Sequence, residues 1–313
     1  MTKPQETPST FKMKPAPPPP QASPAARLEA LALPLTHRFR LGETITPVQK
    51  AFLDERGYLI FEQVATQAEL DELLAELDRV QAQWLREKRE KVYGIPLFVG
   101  EGLDGEPFIQ RFSFTSMFSP VFHRFVRDDR FAPIRSLIGE GARVGDEEKD
   151  GVVVNRNLNT EGSAYPSLGW HTDGLRSIFY GRMPGPMLNV GLHFDRVREE
   201  DGGLRVLPGS HRQNFVEMLT RKIHFLDHRP DKDEIAIETE PGDLTVHDGR
   251  MWHRVARSPH IGERSLRRTM YVPYIVDEYS PKSESSPTPL YHTAGVYMRR
   301  AKRKLKSLKR RSA

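Results

Sequence analysis

The 313-residue sequence predicts a mainly β protein with flanking helices, its core an antiparallel sandwich or barrel. Two observations carry that prediction. Beyond Gly151, short apolar or alternating runs follow one another, separated by Gly, Pro and Asp turns. Ahead of Gly151, apolar residues recur at three- and four-residue spacing behind helix-capping signals. A run of eighteen apolar residues is absent, so no membrane span is expected, and no internal repeat is visible.

Taken in order, residues 1–40 read as a Pro-rich leader. The first 26 are rich in Pro, Ser and Ala, including the stretch from Pro15 to Pro20, a composition that suits an extended, disordered segment. They lack the apolar core of a secretory signal, so the expected address is cytoplasmic. Order is expected to begin near Thr46, where Thr46-Pro47-Val48-Gln49 offers an N-cap, a proline at the first helical position and a capping-box glutamine. A short helix to Arg56 follows, then a turn at Gly57 and an apolar strand over Tyr58–Phe61. Thr66-Gln67-Ala68-Glu69 is a second capping box, opening a helix whose Leu70, Leu73, Leu74, Leu77, Val80 and Trp84 form one core-facing stripe. The expected strands are Val152–Val154, Met187–Phe194, Leu204–Leu207, Ile235–Glu238, Leu244–His247 and Thr269–Ile275. Residues 41–295 are read as one domain and 296–313 as a basic tail.

The net charge of +5 conceals an uneven distribution. Nine Lys or Arg and no acid lie between Arg299 and Arg311, which leaves 38 basic against 42 acidic side chains elsewhere. A mildly acidic body argues against nucleic-acid binding, because such domains present a basic face. In the tail, Met298, Ala301, Leu305 and Leu308 recur at helical spacing among the cations. A basic amphipathic helix of that kind suits peripheral contact with an anionic membrane or an acidic partner. The chain has no cysteine, so thiol catalysis and thiolate metal sites are excluded, and any metal must be held by His, Asp or Glu.

Gly169-Trp170-His171-Thr172-Asp173-Gly174 places a histidine and a carboxylate two positions apart at the end of a strand. In extended backbone the two would share a face and converge, as a metal requires and a packed core avoids. On its own the pair is common. Three later stretches add weight. Asp201-Gly202-Gly203-Leu204-Arg205-Val206-Leu207-Pro208-Gly209-Ser210-His211 reads as turn, strand and stop, with His211 fixing a loop. In Pro241-Gly242-Asp243-Leu244-Thr245-Val246-His247-Asp248-Gly249-Arg250-Met251-Trp252-His253 a turn feeds a strand, and His253 follows that strand's end. Arg264-Ser265-Leu266-Arg267-Arg268-Thr269-Met270-Tyr271 is a strand with arginines at its entrance. Two histidines and a carboxylate on one side of a metal leave positions open for a co-substrate and oxygen, and a guanidinium nearby suits capture of a second carboxylate.

These four stretches, in this order over residues 47 to 280, resemble the phytanoyl-CoA dioxygenase family of iron(II)/2-oxoglutarate oxygenases. The resemblance implies a double-stranded β-helix core, a jelly roll of the cupin-like kind, with helices packed outside it. It implies Fe(II), 2-oxoglutarate and O2 as reagents, with His171, Asp173 and His253 as metal ligands. Family spacing from the distal histidine favours Arg264 as the partner of 2-oxoglutarate, whereas strand alignment favours Arg267, which shares a face with Thr269 and Tyr271. The strand alignment is preferred, because loops vary in length more readily than strands change register. Departures from the pattern are Val255, where a hydroxyl residue often stands, and Gly191, where some members place a tryptophan. Asn155 and Asn157 are the candidates to close the co-substrate pocket instead. Asp173 argues against a halogenase, since those relatives vacate the carboxylate position.

The expected activity is hydroxylation of a small-molecule or lipid-like substrate, with 2-oxoglutarate and O2 converted to succinate and CO2. The alternative is a non-catalytic jelly-roll binding protein or scaffold that retains the pattern. His193 and His247 are read as hydrogen-bonded structural groups. His37, His123, His224, His228, His260 and His292 have no partner at ligand spacing. The aromatic stretch 108–125 and Phe179-Tyr180 could line a substrate mouth, but core packing is the preferred reading for both.

Overall fold

The computed structural model describes residues 22–289 and His292. The basic tail and most of the Pro-rich leader lie outside the described residues.

Three helices come first. α1 spans Pro24–Ala32, with the Ser23 hydroxyl accepting from the Ala26 amide and Pro24 entering the first turn. Order therefore begins well before Thr46, which corrects the expected boundary of the leader. The reason is physical: α1 meets the core through the small residues Ala26 and Ala30, with Leu28 exposed, so its sequence looks like the leader's. α2 (Pro47–Arg56) and α3 (Gln67–Arg86) start on complete capping boxes at Thr46 and Thr66. Gly57 closes α2 at φ +87°, a conformation that suits glycine. α3 buries Leu70, Leu73, Leu77, Val80 and Trp84, as the stripe predicts, with Leu74 partly buried against the same core.

The β core is built from eleven principal strands: β1 (Tyr58–Phe61), β2 (Phe98–Glu101), β3 (Pro107–Phe112), β4 (Val153–Asn159), β5 (Leu168–His171), β6 (Met187–His193), β7 (Gly203–Val206), β8 (Ile235–Ala236), β9 (Leu244–Asp248), β10 (His253–Ala256) and β11 (Gly262–Ile275). The larger sheet runs β1-β9-β6-β11-β4-β3-β2, and the short strand Arg143–Val144 pairs with the end of β11. The smaller sheet runs β8-β7-β10-β5. All these pairings are antiparallel, and apart from the β2–β3 hairpin, neighbours in each sheet come from distant parts of the chain, the arrangement of a jelly roll. Ile235–Glu238 proves to be mostly irregular, with strand only at its first two residues.

On the outer face of the sheet, α3 lies over β4 and its neighbour β3. Arg156 lies buried there over the rings of Phe108 (3.8 Å to the centroid) and Phe112 (4.9 Å) and donates to the Ile109 carbonyl. Phe112, Phe114, Phe122 and Phe125 belong to the main core, so the aromatic stretch 108–125 chiefly packs the fold. Of Phe179 and Tyr180 only the backbone is described, within a 3-10 segment.

One turn holds β6, β9 and the β1–α3 loop together. Gly242, at φ +88°, donates to the His193 carbonyl and accepts from the Val64 and Ala65 amides. A Cβ built there would sit 2.2 Å from the Ala65 carbonyl oxygen. Its neighbour Asp243 is fully buried, paired with Arg38 and accepting from the Gln63 amide at 3.1 Å. Gly242→Ala is expected to destabilise the fold by more than about 1 kcal/mol, since both φ and space are wrong for a side chain. Chemical denaturation of the variant checks this, and unchanged stability would contradict it.

Candidate metal centre

β5 and β10 are cross-strand neighbours, with His171 directly opposite His253. Alternation along both strands explains the tryptophans that precede them. Trp170 and Trp252 point to the other face and form a separate apolar cluster with Leu207, leaving the two imidazoles inward. Their ring centroids lie 4.0 Å apart. Asp173 joins them by a different route from the one expected. β5 ends at His171, and Asp173 has helical backbone (φ −71°, ψ −30°) where the chain turns into a 3-10 segment. The i, i+2 convergence is therefore made by a turn at the strand's end and not by extended backbone.

The side chains of His171, Asp173 and His253 are all buried, and one ligand atom from each lies within 4.8 Å of the others. Each ring is oriented by the carbonyl two residues before it. His171 Nδ1 donates to Gly169 O at 2.9 Å, and His253 Nδ1 donates to Met251 O at 3.0 Å. Both Nε2 atoms are thus left with a lone pair, the tautomer a metal ligand needs. Burial holds His253 down to about 3, and His171 is held well below its ordinary value by burial and by the neighbouring His253. Burial opposes ionisation of Asp173, but Arg176, the His247 hydrogen bond and the flanking histidines outweigh it and hold the carboxyl well below its usual range. Two neutral imidazoles and one carboxylate are a donor set that fits a divalent ion with open positions.

Apart from Arg176, three residues on, the groups around Asp173 were not legible from spacing. Asn189 Nδ2 donates to its Oδ2 at 2.7 Å, and His247 Nε2 donates to the same oxygen at 3.3 Å. Arg176 reaches Oδ1 at 3.4 Å. His247 is structural, as expected, but it orients the metal-site carboxylate. Asn189 and His247 are cross-strand partners on β6 and β9, a relation that no local motif reveals. His193 donates to or accepts from Thr245 Oγ1 at 3.0 Å, and His211 Nε2 donates to Asp54 O at 3.0 Å, so neither joins the centre. His224 Nε2 lies 3.0 Å from the Thr172 amide nitrogen, and Phe225 stacks on the His171 ring at 5.0 Å. That loop, whose His224 has no partner at ligand spacing in the sequence, covers the first histidine.

A cavity of about 70 Å³ opens onto the three residues, walled in part by Asn155, Val255 and Tyr271. Val255 and Tyr271 also wall an adjoining recess of about 20 Å³ that contains Arg267, Asn157 and Thr269. Arg267 is buried, whereas Arg264 is exposed in an irregular stretch where the β11–β4 register shifts. From Arg267 to Tyr271 the register is regular, so Arg267, Thr269 and Tyr271 share the inward face. Arg267 Nη1 donates to Ala256 O at 2.7 Å, and among the described residues no carboxylate pairs with it. Burial pushes its guanidinium down to about 10, with Asp201 opposing weakly. Asn155 Oδ1 is buried without a hydrogen-bond partner, and Asn157 Nδ2 donates to Tyr165 O at 3.0 Å. A Cβ at Gly191 would come 2.8 Å from the Tyr271 ring, so Tyr271 fills the space a larger residue would need there.

Burial of histidines also sets a pH dependence. His193 is held down to about 3 by burial, with Arg38 and His247 adding to the effect. The unfolded chain takes up this proton below about 6.5, the folded chain only near 3, so stability is lost as the pH falls through that window. At pH 5 the cost is about 2 kcal/mol. The melting temperature should drop between pH 7 and 5, and His193→Gln should flatten that drop. Equal slopes in the two proteins would contradict this.

A family model described as phytanoyl-CoA dioxygenase (PhyH) matches residues 53–259. No curated protein sequence matches the chain. Among solved structures, HygX from Streptomyces hygroscopicus with nickel and 2-oxoglutarate bound is similar at 19% identity, covering 76% of this chain and 90% of its own, with a TM-score of 0.55. AviO1 from Streptomyces viridochromogenes is similar at 16% identity over 78% of this chain and 99% of its own, TM-score 0.53. The non-heme alpha ketoglutarate dependent epimerase SnoN from nogalamycin biosynthesis is similar at 18% identity over 76% and 92%, TM-score 0.52. At these identities the likenesses speak for the fold.

Proposed function

We propose, from the premise that this chain belongs to the phytanoyl-CoA dioxygenase family of iron(II)- and 2-oxoglutarate-dependent enzymes, that it is an oxygenase hydroxylating a small-molecule or lipid-like substrate. The observation that carries this reading is the pair of inward Nε2 lone pairs converging with the Asp173 carboxylate at the floor of a buried cavity. His171, Asp173 and His253 would hold Fe(II), and Arg267 would receive the distal carboxylate of 2-oxoglutarate. Bound iron would supply the oxidising chemistry, coupling decarboxylation of 2-oxoglutarate and O2 to oxidation of the substrate.

The chain's own residues supply orientation and exclusion of water. Gly169 O and Met251 O fix the two rings, and Asn189, His247 and Arg176 fix the carboxylate. The carboxylate-free Arg267 is a buried donor group that a bound carboxylate would engage. The rings of Tyr271 and Phe225 keep the inward imidazoles from bulk water.

The test is formation of succinate from 2-oxoglutarate by the purified full chain, with and without added Fe(II). Absence of both 2-oxoglutarate binding and turnover in the iron-loaded protein would leave the non-catalytic jelly roll as the better reading. HygX has also been crystallised with hygromycin B, and SnoN is described as an epimerase, so neighbours of this fold take small molecules and differ in outcome. Incorporation of oxygen from O2 into product separates hydroxylation from other outcomes.

No helix among the described residues is long and apolar enough to cross a membrane. The basic stripe of residues 296–313 supports the further reading of a peripheral contact with anionic surfaces, at about 1 kcal/mol per cation. Co-sedimentation with anionic vesicles should fall sharply in a chain ending at Val296. Equal sedimentation of the two chains would overturn it.

A further inference from the structure

The cavity over the metal-site residues holds more positive charge than its own carboxylates neutralise. Three cations line it, Arg111, Lys149 and Arg176, against Asp150 and Asp173. The arginines are committed. Arg111 donates to Asp150 Oδ2 at 2.7 Å and to Ser113 Oγ at 2.8 Å. Arg176 bridges Asp150 (3.2 Å) and Asp173 (3.4 Å). Lys149 has no carboxylate partner among the described residues. Its Nζ donates to Ser177 Oγ at 3.1 Å and sits 4.3 Å from the centroid of the Tyr279 ring. An ammonium has three protons, so donors remain for a ligand.

Resting on the iron/2-oxoglutarate reading, we propose that the substrate carries an acidic group, a carboxylate or a phosphate, and that the Lys149 ammonium receives it beside the metal centre. A divalent ion and a doubly charged co-substrate cancel each other in the charge count. Arg267, which would receive the co-substrate, and Asp277, which acts on Lys149 from beyond the lining, offset each other, so the excess of three lining cations over two lining carboxylates is left for the substrate.

Two further observations support the assignment. Lys149 is only 8% exposed, and a lysine that deep is rare unless something pairs with it. Burial pushes it down to about 8, against the opposing pull of Asp173, Asp277 and Asp150. It is also held in place. Lys149 adopts φ +53°, a left-handed conformation unusual for a side chain of this size, in a turn anchored by Asp146 on Arg127 (2.9 Å), Glu148 on Arg143 (2.6 Å) and Asp150 on Arg111. The turn thus presents the ammonium to the cavity in advance of any ligand. Val153, Leu168, Met187 and Pro273 complete the wall, so the acid would carry an apolar body.

The test uses the full chain loaded with Mn(II) and saturating 2-oxoglutarate. Paramagnetic relaxation of three probes is measured: inorganic phosphate by phosphorus resonance, and propionate and its neutral amide by proton resonance. The expected result is enhancement for at least one anion and none for propionamide, with the anion's affinity reduced ten-fold or more in Lys149→Met and Lys149→Gln and recovered in Lys149→Arg. Whichever anion dominates identifies the acid. No enhancement by either anion, equal enhancement in Lys149→Met, or equal enhancement by propionamide would overturn the proposal. On parallel Fe(II) samples, the visible charge-transfer absorption of chelated 2-oxoglutarate keeps the two readings apart. Its absence from the wild type defeats the iron/2-oxoglutarate reading, and its loss only in the Lys149 variants assigns Lys149 to the co-substrate and overturns this proposal.

Discussion

Replacing His171, Asp173 or His253 by alanine is expected to abolish iron-dependent conversion of 2-oxoglutarate to succinate while leaving the fold in place. Each substitution removes one of three donors that meet within 4.8 Å, and no other histidine or carboxylate among the described residues completes such a cluster. His247 is the nearest substitute, but its Nε2 faces Asp173 Oδ2 at 3.3 Å, so it orients that carboxylate. The fold should survive because the β5–β10 ladder is made by backbone, and the apolar face of these strands rests on Trp170, Leu207 and Trp252. Relief of buried polar side chains can even raise thermal stability of the apo variants. Metal content, turnover and melting temperature measured together check this. Wild-type turnover in any of the three would show that the residue is not a ligand.

Arg267→Ala is expected to raise the apparent KM for 2-oxoglutarate about ten- to a hundred-fold, the loss of a charge-assisted pair of about 1.5–3 kcal/mol. Metal affinity should change little, because Arg267 lies in the adjoining recess and touches none of the three ligands. Arg264→Ala serves as the control, since that side chain is exposed. The reverse outcome, a raised KM in Arg264→Ala with Arg267→Ala unaffected, would show that the co-substrate carboxylate reaches a different arginine. The shift between the two positions has a structural source. The β11–β4 register is irregular between Gly262 and Arg267, so counting residues from His253 crosses a bulge, whereas strand alternation counts only the regular part.

Much of the fold was legible because its signals are local. The capping boxes at Thr46 and Thr66 fix where α2 and α3 begin, and the stripe from Leu70 to Trp84 fixes which face is buried. Alternating runs between Gly and Pro turns mark the strands. α1 was missed for an equally local reason: its contact surface is alanine, and alanine among prolines and serines does not distinguish a packed helix from a leader.

By itself the sequence determined the donor types, since a chain with no cysteine can offer a metal only oxygen and nitrogen. It also placed His171 two residues from Asp173, but His193 and Asp195 share that spacing, so the pair alone does not mark the site. Only the tertiary structure decided how those donors meet. His171 and His253 become cross-strand partners through a ladder between segments about eighty residues apart, and Asp173 reaches them because the chain leaves β5 in a helical turn. Likewise, only the fold gathered Asn189 and His247 on Asp173, and brought Arg111 to Lys149 and Asp150. The physical reason is range. Capping and periodicity act within a few residues and leave a trace in composition, whereas a buried charge is compensated by whatever the topology brings within a few ångströms, however distant in sequence.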